Sequence, residues 1–222
     1  MGYAVSISDL LISDLGIQGR PCVQSRPRRY KKQIIMGLSI HYSGFLRHKK
    51  LLDPLIEEVK EVSETLDWTT YIIDDKNLKG ISFAPEGSEP VFLTFNHSNR
   101  LLSPMNIRIK EIYDGVHFDK ELMFTTTAKT QYAGPDAHIA ILKLLKHISA
   151  KYLESFTLSD EGSYWETGDE QILYAQFKKY ETALNLVQEA LQDFTATPGE
   201  TVSSLAERIE NVLKEKFGGK EE

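Results

Sequence analysis

Cysteine is almost missing from this chain. Cys22 is the only one in 222 residues, so no intrachain disulfide can form. That scarcity fits a reducing compartment, and a cytoplasmic location is expected. No apolar run approaches the ~20 residues that a membrane-spanning helix needs. Nor does a lysine-led apolar segment with a small-residue cleavage site mark a secretory leader. Also lacking are a glycine-rich phosphate loop ahead of a helix, an HExxH pair, a CxxC pair and a GxSxG elbow. Their absence leaves the common nucleotide, zinc-protease and serine-hydrolase readings without support, and no metal or cofactor is expected. Positive charge is in deficit: 26 Lys and Arg stand against 32 Asp and Glu, a formal charge of −6. Nucleic acid is therefore not an expected partner.

The deficit is uneven. Residues 1–35 hold six Lys or Arg against two Asp, a surplus of four that leaves −10 on the rest. Met1-Gly2-Tyr3-Ala4-Val5-Ser6 fits the bare N-acylation pattern, and Arg26 to Lys32 forms the basic run that would accompany a lipid. The stronger reading takes residues 1–35 as a disordered or mis-assigned extension, because they lack periodicity and Met36-Gly37 opens a clean strand. No membrane partner is expected.

From Met36 the pattern is that of an α+β domain. Leu38–Tyr42 alternates as a strand, with His41 and Ser43 on its polar face. Asp53-Pro54 reads as a helix start, with Leu55, Val59, Val62 and Leu66 as its buried stripe. Trp68–Ile73, Gly80–Ala84, Val91–Phe95 and Met105–Ile112 read as strands separated by short turns that suit antiparallel pairing. Leu122–Ala133 is a further strand, followed by a helix from about Pro135 to Tyr152 and a strand over about Glu154–Ser159. Thr167 and Glu170 have the spacing of a capping box. The next helix carries Leu173, Phe177, Tyr180, Leu184, Val187, Leu191 and Phe194 at alternating steps of four and three, a heptad-type seam. That seam either packs within the monomer or joins two copies. The expected fold is a mainly antiparallel sheet of about six to seven strands with helices packed on one face. Residues 36–194 form the domain, a C-terminal helix over 195–217 packs on it, and 218–222 is a frayed tail.

The polar candidates gather between Leu122 and Asp169. His138 opens the buried stripe of Ile141, Leu142, Leu145, Ile148 and Tyr152, close to a helix N-terminus where burial disfavours the imidazolium. It is either a hydrogen-bonded core histidine or a base or ligand. His147, nine residues on at ~100° each, faces the other way. The loop Asp160-Glu161-Gly162-Ser163-Tyr164-Trp165-Glu166-Thr167 sets acids beside aromatics. Such a loop binds a sugar, a cation or a basic side chain, or else its aromatics plug the core edge. Lys129 and Gln131 share a polar strand face with Thr125 and Thr127. A sheet with helices on one side and this surface on the other is a natural binding platform.

The segments Met36–Gly44, Lys129–Gly134 with His138, and Asp160–Thr167 resemble a family of uncharacterised bacterial proteins across Met36 to Phe217. The resemblance implies a bacterial cytosolic setting and a working start at Met36, and no activity. Two functions are in competition. The first is non-catalytic binding of a protein or small ligand through Lys129, Gln131, His138, Asp160, Glu161, Tyr164, Trp165 and Glu166. The second is a hydrolase, with glycans as a candidate substrate class and His138 and Glu161 or Glu166 as acid and base. Under either, a homodimer seam would use Leu173, Phe177, Tyr180, Leu184, Val187 and Leu191.

Overall fold

A computed structural model describes residues 38–112, 123–192, 194–195 and 199–217. The expected extension over 1–35, its acylation and basic motifs, and the tail over 218–222 lie outside the described residues. Within them the fold is α+β, and every strand pairing is antiparallel. The strands are β1 (Ser39–Leu46), β2 (Thr69–Asp74), β3 (Lys79–Ala84), β4 (Val91–Phe95), β5 (Thr126–Lys129) and β6 (Leu153–Asp160). The helices are α1 (Leu52–Thr65), α2 (Pro104–Ile112), α3 (Gly134–Tyr152), α4 (Tyr164–Thr167), α5 (Glu170–Leu191) and α6 (Val202–Phe217).

These strands do not make one sheet. They form two three-stranded sheets, ordered β5-β1-β6 and β2-β3-β4. The joint between them is a side chain. The Tyr42 hydroxyl accepts from Phe92 N at 2.8 Å and donates to Phe92 O at 3.0 Å, so one phenol stands in for a strand partner. Isolated bridges Phe45–Arg100 and Phe95–Leu101 add the remaining backbone link. Burial pushes the Tyr42 phenol far above its ordinary pKa, which keeps it protonated as this dual role requires.

One apolar cluster fills both halves. Ile40, Tyr42 and Ala128 meet Ile141, Leu142, Leu145 and Ile148 of α3, while Leu55, Val59 and Val62 of α1 meet Ile81, Phe83 and Leu93. The stripe read for α3 is therefore the core stripe. Leu66 of the α1 stripe is 38% exposed and falls outside it. Two ties fasten the helices. Glu58 of α1 accepts from His147 Nε2 at 2.6 Å and Lys151 Nζ at 2.8 Å on α3. The Arg47 guanidinium donates to Ala150 O and Leu153 O, satisfying carbonyls at the α3 C-terminus.

Several local expectations need correction. Met105–Ile112 is helical, not a strand, because Ser103-Pro104-Met105-Asn106 starts a helix. Ser103 N donates to Asn106 Oδ1 at 2.8 Å and Asn106 N donates to Ser103 Oγ at 3.3 Å, a reciprocal cap with proline at the first helical position. Asp53 is not an N-cap. A 3₁₀ turn over Lys49–Leu51 feeds directly into α1, so the chain is already helical when it reaches Asp53. The α5 cap is Asp169 rather than Thr167, its carboxylate accepting from Gln171 N and Ile172 N. The long strand expected over Leu122–Ala133 is only Thr126–Lys129. Beyond it Thr130 N bonds Leu38 O at 2.9 Å and the chain turns into α3.

Candidate functional site

The site is built from the end of β6. Successive residues leave a strand on opposite sides, so the dipeptide Asp160-Glu161 sends one carboxylate into the core and the other to the far face of the sheet. Each acid meets a histidine, and each histidine meets a threonine of the segment that includes β5.

The inner relay is Asp160–His138–Thr130. Asp160 Oδ1 lies 2.9 Å from His138 Nε2, and Thr130 Oγ1 lies 2.6 Å from His138 Nδ1. The carboxylate takes its hydrogen bond from Nε2, and on the other ring nitrogen stands the Thr130 hydroxyl, which also reaches Leu38 O at 3.3 Å. His138 and Thr130 are fully buried, and Phe177 of α5 closes over the ring edge-on at 5.8 Å. Asp160 also gathers the loop. Gly162 N donates to Oδ1 at 2.7 Å, and Tyr164 N and Trp165 N donate to Oδ2 at 2.8 and 3.0 Å. Burial alone would raise this carboxyl. The hydrogen bond and charge of His138, together with the loop amides, outweigh burial and hold Asp160 below the usual carboxylate range. Gly162 fits because it lacks a side chain: a Cβ there would stand 2.4 Å from Leu173 Cδ1 and 3.1 Å from His138 Nε2. This is a sealed pin that ties β5, α3 and β6 together.

The outer relay is Glu161–His41–Thr127. Glu161 is clamped to the start of β1, its N donating to Ser39 O at 3.1 Å and its Oε2 accepting from Ser39 N at 2.8 Å. That clamp leaves Oε1 facing His41 Nε2 at 3.4 Å, while His41 Nδ1 lies 3.0 Å from Thr127 Oγ1. Burial again acts to raise Glu161, and bonds from His41 and Ser39 bring it below the usual range. Here the members reach solvent: the His41 and Glu161 side chains are 36% and 28% exposed.

Two members of this relay, His41 and Thr127, lie on the floor of a groove of about 1030 Å³. His41, Ser43, Thr127, Thr157 and Ser159 supply a floor rich in hydroxyls on the outer face of β5-β1-β6, with Ser43 Oγ and Thr157 Oγ1 paired at 2.9 Å. Pro90 and Phe92 form one wall, and Met105 and Ile109 of α2 form another. Asn106 fixes the α2 wall to the floor strand, Nδ2 donating to Met123 O and Thr125 O and Oδ1 accepting from Thr126 Oγ1.

The residues singled out from the sequence fall into three places. Asp160 and His138 form the inner pin. Glu161 backs His41 from outside the groove lining, Lys129 likewise lies outside it, and the Lys129 backbone N is held by Glu89 Oε2 at 3.0 Å. Gln131 Oε1 accepts from Leu38 N at 3.3 Å and tethers the start of β1. Tyr164 and Trp165 pack against the core edge, Trp165 edge-on to Phe156 at 6.2 Å. Glu166 is exposed as a residue, yet its carboxyl turns in to the Asp160 amide at 3.4 Å. Its pKa is raised, first by partial burial and then by the Asp160 charge. His138 is thus bonded to Asp160, and Glu161 to His41. Sequence reasoning placed His41 and Thr127 on polar faces without joining them. The missing signal was the β1–β5 register, in which His41 pairs with Thr127.

Among the described residues no group of three His, Cys, Asp or Glu is placed to hold a metal ion, and no helix is long and apolar enough to cross a membrane. No protein-family model, curated protein or solved structure matches the chain.

Proposed function

We propose that this chain is a binding domain for a small ligand, and that its site is the groove over the polar face of β5-β1-β6. The observation that supports this is the groove itself: a concave space of about 1030 Å³ with a hydroxyl and imidazole floor and apolar walls. Such a mixture of a few convergent polar groups and apolar surface is the usual character of a ligand pocket. Among the described residues the lining contains no Lys or Arg and includes Glu89, with Glu161 bonded to the His41 ring. The ligand is accordingly uncharged or cationic, with one polar and one apolar side. The acidic-aromatic loop serves it indirectly. Asp160, Tyr164 and Trp165 hold the loop to the core, and Glu161 alone of its acids turns to His41.

The test is a fragment screen by amide chemical shifts, using uncharged polyols and alkyl amines as probes. Hits are expected to move His41, Thr127 and Thr157, and Ser43→Trp, which fills the floor, is expected to abolish them. Shifts confined to Tyr164–Thr167 would overturn the groove as the site.

A second reading concerns assembly. Leu173, Phe177 and Tyr180 of α5 pack toward the body, but Leu184 and Val187 of the same seam remain 39% and 37% exposed. That half of the seam favours a homodimer, since an apolar helical stripe is stable only when covered.

A further inference from the structure

We propose that Glu161, His41 and Thr127 form a catalytic relay for acyl transfer, acting on an uncharged carboxylic ester held in the groove. The inference rests on the groove being the binding site and adds a reaction to it. Three side chains stand in the order acid, imidazole, hydroxyl, with each histidine nitrogen committed to one neighbour. Glu161 cannot swing away, because Ser39 holds it through both its backbone N–H and its second carboxylate oxygen. The carboxylate selects the tautomer with the proton on His41 Nε2. Nδ1 is then a lone-pair acceptor 3.0 Å from the Thr127 hydroxyl. A nucleophile, a base in hydrogen-bond reach and a third group orienting the base make the signature of covalent acyl catalysis, whatever the fold.

The inner relay sharpens the point. Asp160, His138 and Thr130 repeat the order of groups, yet Thr130 and His138 are at 0% exposure and no substrate reaches them. Thr127 lies in the groove, between the polar floor and the apolar surface of Met105 and Ile109. The acyl chain of an ester lies against that surface, and a lining that among the described residues has Glu89 and no Lys or Arg disfavours an anionic substrate.

The steps balance. Thr127 Oγ attacks the ester carbonyl carbon while its proton passes to His41 Nδ1. The tetrahedral adduct collapses, the carbon–oxygen bond to the leaving group breaks, and the alkoxide leaves as an alcohol with the proton from His41. Water then loses a proton to Nδ1 and attacks the acyl-threonine, releasing the carboxylic acid and returning the proton to Thr127. The sum is ester plus water to acid plus alcohol, with no change of oxidation state. The relay supplies a nucleophile and a base and no oxyanion donor. Loss of such a donor costs roughly 10²–10³ in kcat, so turnover is slow and the acyl intermediate is the species to capture.

The experiment treats the full chain with p-nitrophenyl butyrate, following p-nitrophenol release together with peptide mapping of the butyryl adduct. N-butyl butyramide, an uncleaved analogue, is titrated in parallel by amide shifts. The expected result is an adduct on Thr127 and release that falls about a hundredfold or more in Thr127→Val and His41→Gln. Glu161→Gln should fall less, with its pH profile displaced. Thr127→Val, at an exposed position, is checked for an unchanged melting curve, and the rates of His41→Gln and Glu161→Gln are read below any melting transition these half-buried positions shift. If the amide binds in the groove but the ester acylates only lysines, or release is unchanged in Thr127→Val, the relay is overturned and the binding site stands. If the amide shifts nothing in the groove and no ester is cleaved, both are overturned.

Discussion

Replacing Asp160 by Asn changes one oxygen for an NH₂ at nearly constant volume, and it tests the inner pin directly. Four donors converge on this carboxylate: His138 and Gly162 on Oδ1, and Tyr164 and Trp165 on Oδ2. An amide facing the Oδ2 side sets its own N–H₂ against two backbone N–H groups. Turned the other way, His138 escapes by moving its proton to Nδ1, but Gly162 N–H is stranded in a buried site. At least one donor is left without a partner in either orientation, at about 1–3 kcal/mol. The bonds that survive lose charge assistance, which roughly halves their strength. The expected loss is about 2–5 kcal/mol, a large part of the ~5–15 kcal/mol that holds an ordinary domain together. Urea unfolding followed by tryptophan fluorescence measures it, since Trp165 sits in the pinned loop. The midpoint should fall with the slope unchanged. A loss below about 0.5 kcal/mol would refute the claim that this carboxylate organises the loop.

Gly162→Ala should cost more than about 2 kcal/mol, because the new Cβ meets Leu173 at 2.4 Å and overpacking in a closed core is not relieved by solvent; a neutral result in thermal unfolding contradicts the close packing. Asn106→Ala strands the Ser103 and Thr126 donors and unlocks α2 from β5, so a loss of about 2–4 kcal/mol is expected in urea unfolding; ligand shifts along the groove should weaken with it. Leu184→Asp should leave monomer stability within about 1 kcal/mol, as the site is partly solvated, while sedimentation shows the dimer dissociating; an unchanged sedimentation coefficient removes the seam. The pH dependence follows from Asp160 and Glu161, both held below their ordinary values. Their folded-state contribution is complete above the unfolded carboxylate value and is lost as pH falls through the lower, folded one. Glu166, raised, acts in the opposite sense and loses its contribution as pH rises. Acid titration of stability should therefore flatten in Asp160→Asn; an unchanged acid limb counts against the pin.

How much of this was legible in the sequence differed by element. The α3 stripe was fully readable, since His138 to Tyr152 follows helical spacing and lands in the core. The antiparallel class followed from short turns. What failed was the inference from strand number to one sheet, because a tyrosine hydroxyl replacing a ladder has no signature in periodicity. Met105–Ile112 misled by its alternation, although Ser103-Pro104 and Asn106 carried the helix start for anyone weighing caps before pattern. At the site, both acids and the inner histidine were named. Their pairing was not, since it depends on which side of β6 each residue leaves and on the β1–β5 register, a long-range quantity. The aromatics of the loop suggested a binding surface, yet they close the core edge, where burial of rings outweighs their exposure to a ligand.

The Tyr42 joint also bears on aggregation. A strand that ends a sheet presents unpaired N–H and C=O groups, a template on which another chain can add. On β4 those groups are consumed internally. Tyr42 takes both from Phe92, and Thr94 O accepts Leu102 N at 3.0 Å. Within this sheet the exposed template is thereby left to β2, which pairs only with β3 and shows Tyr71 and Ile72 at 66% and 57% exposure. Misassembly through the β2-β3-β4 sheet should begin at that strand, and a single lysine in place of Ile72 would be the place to guard it.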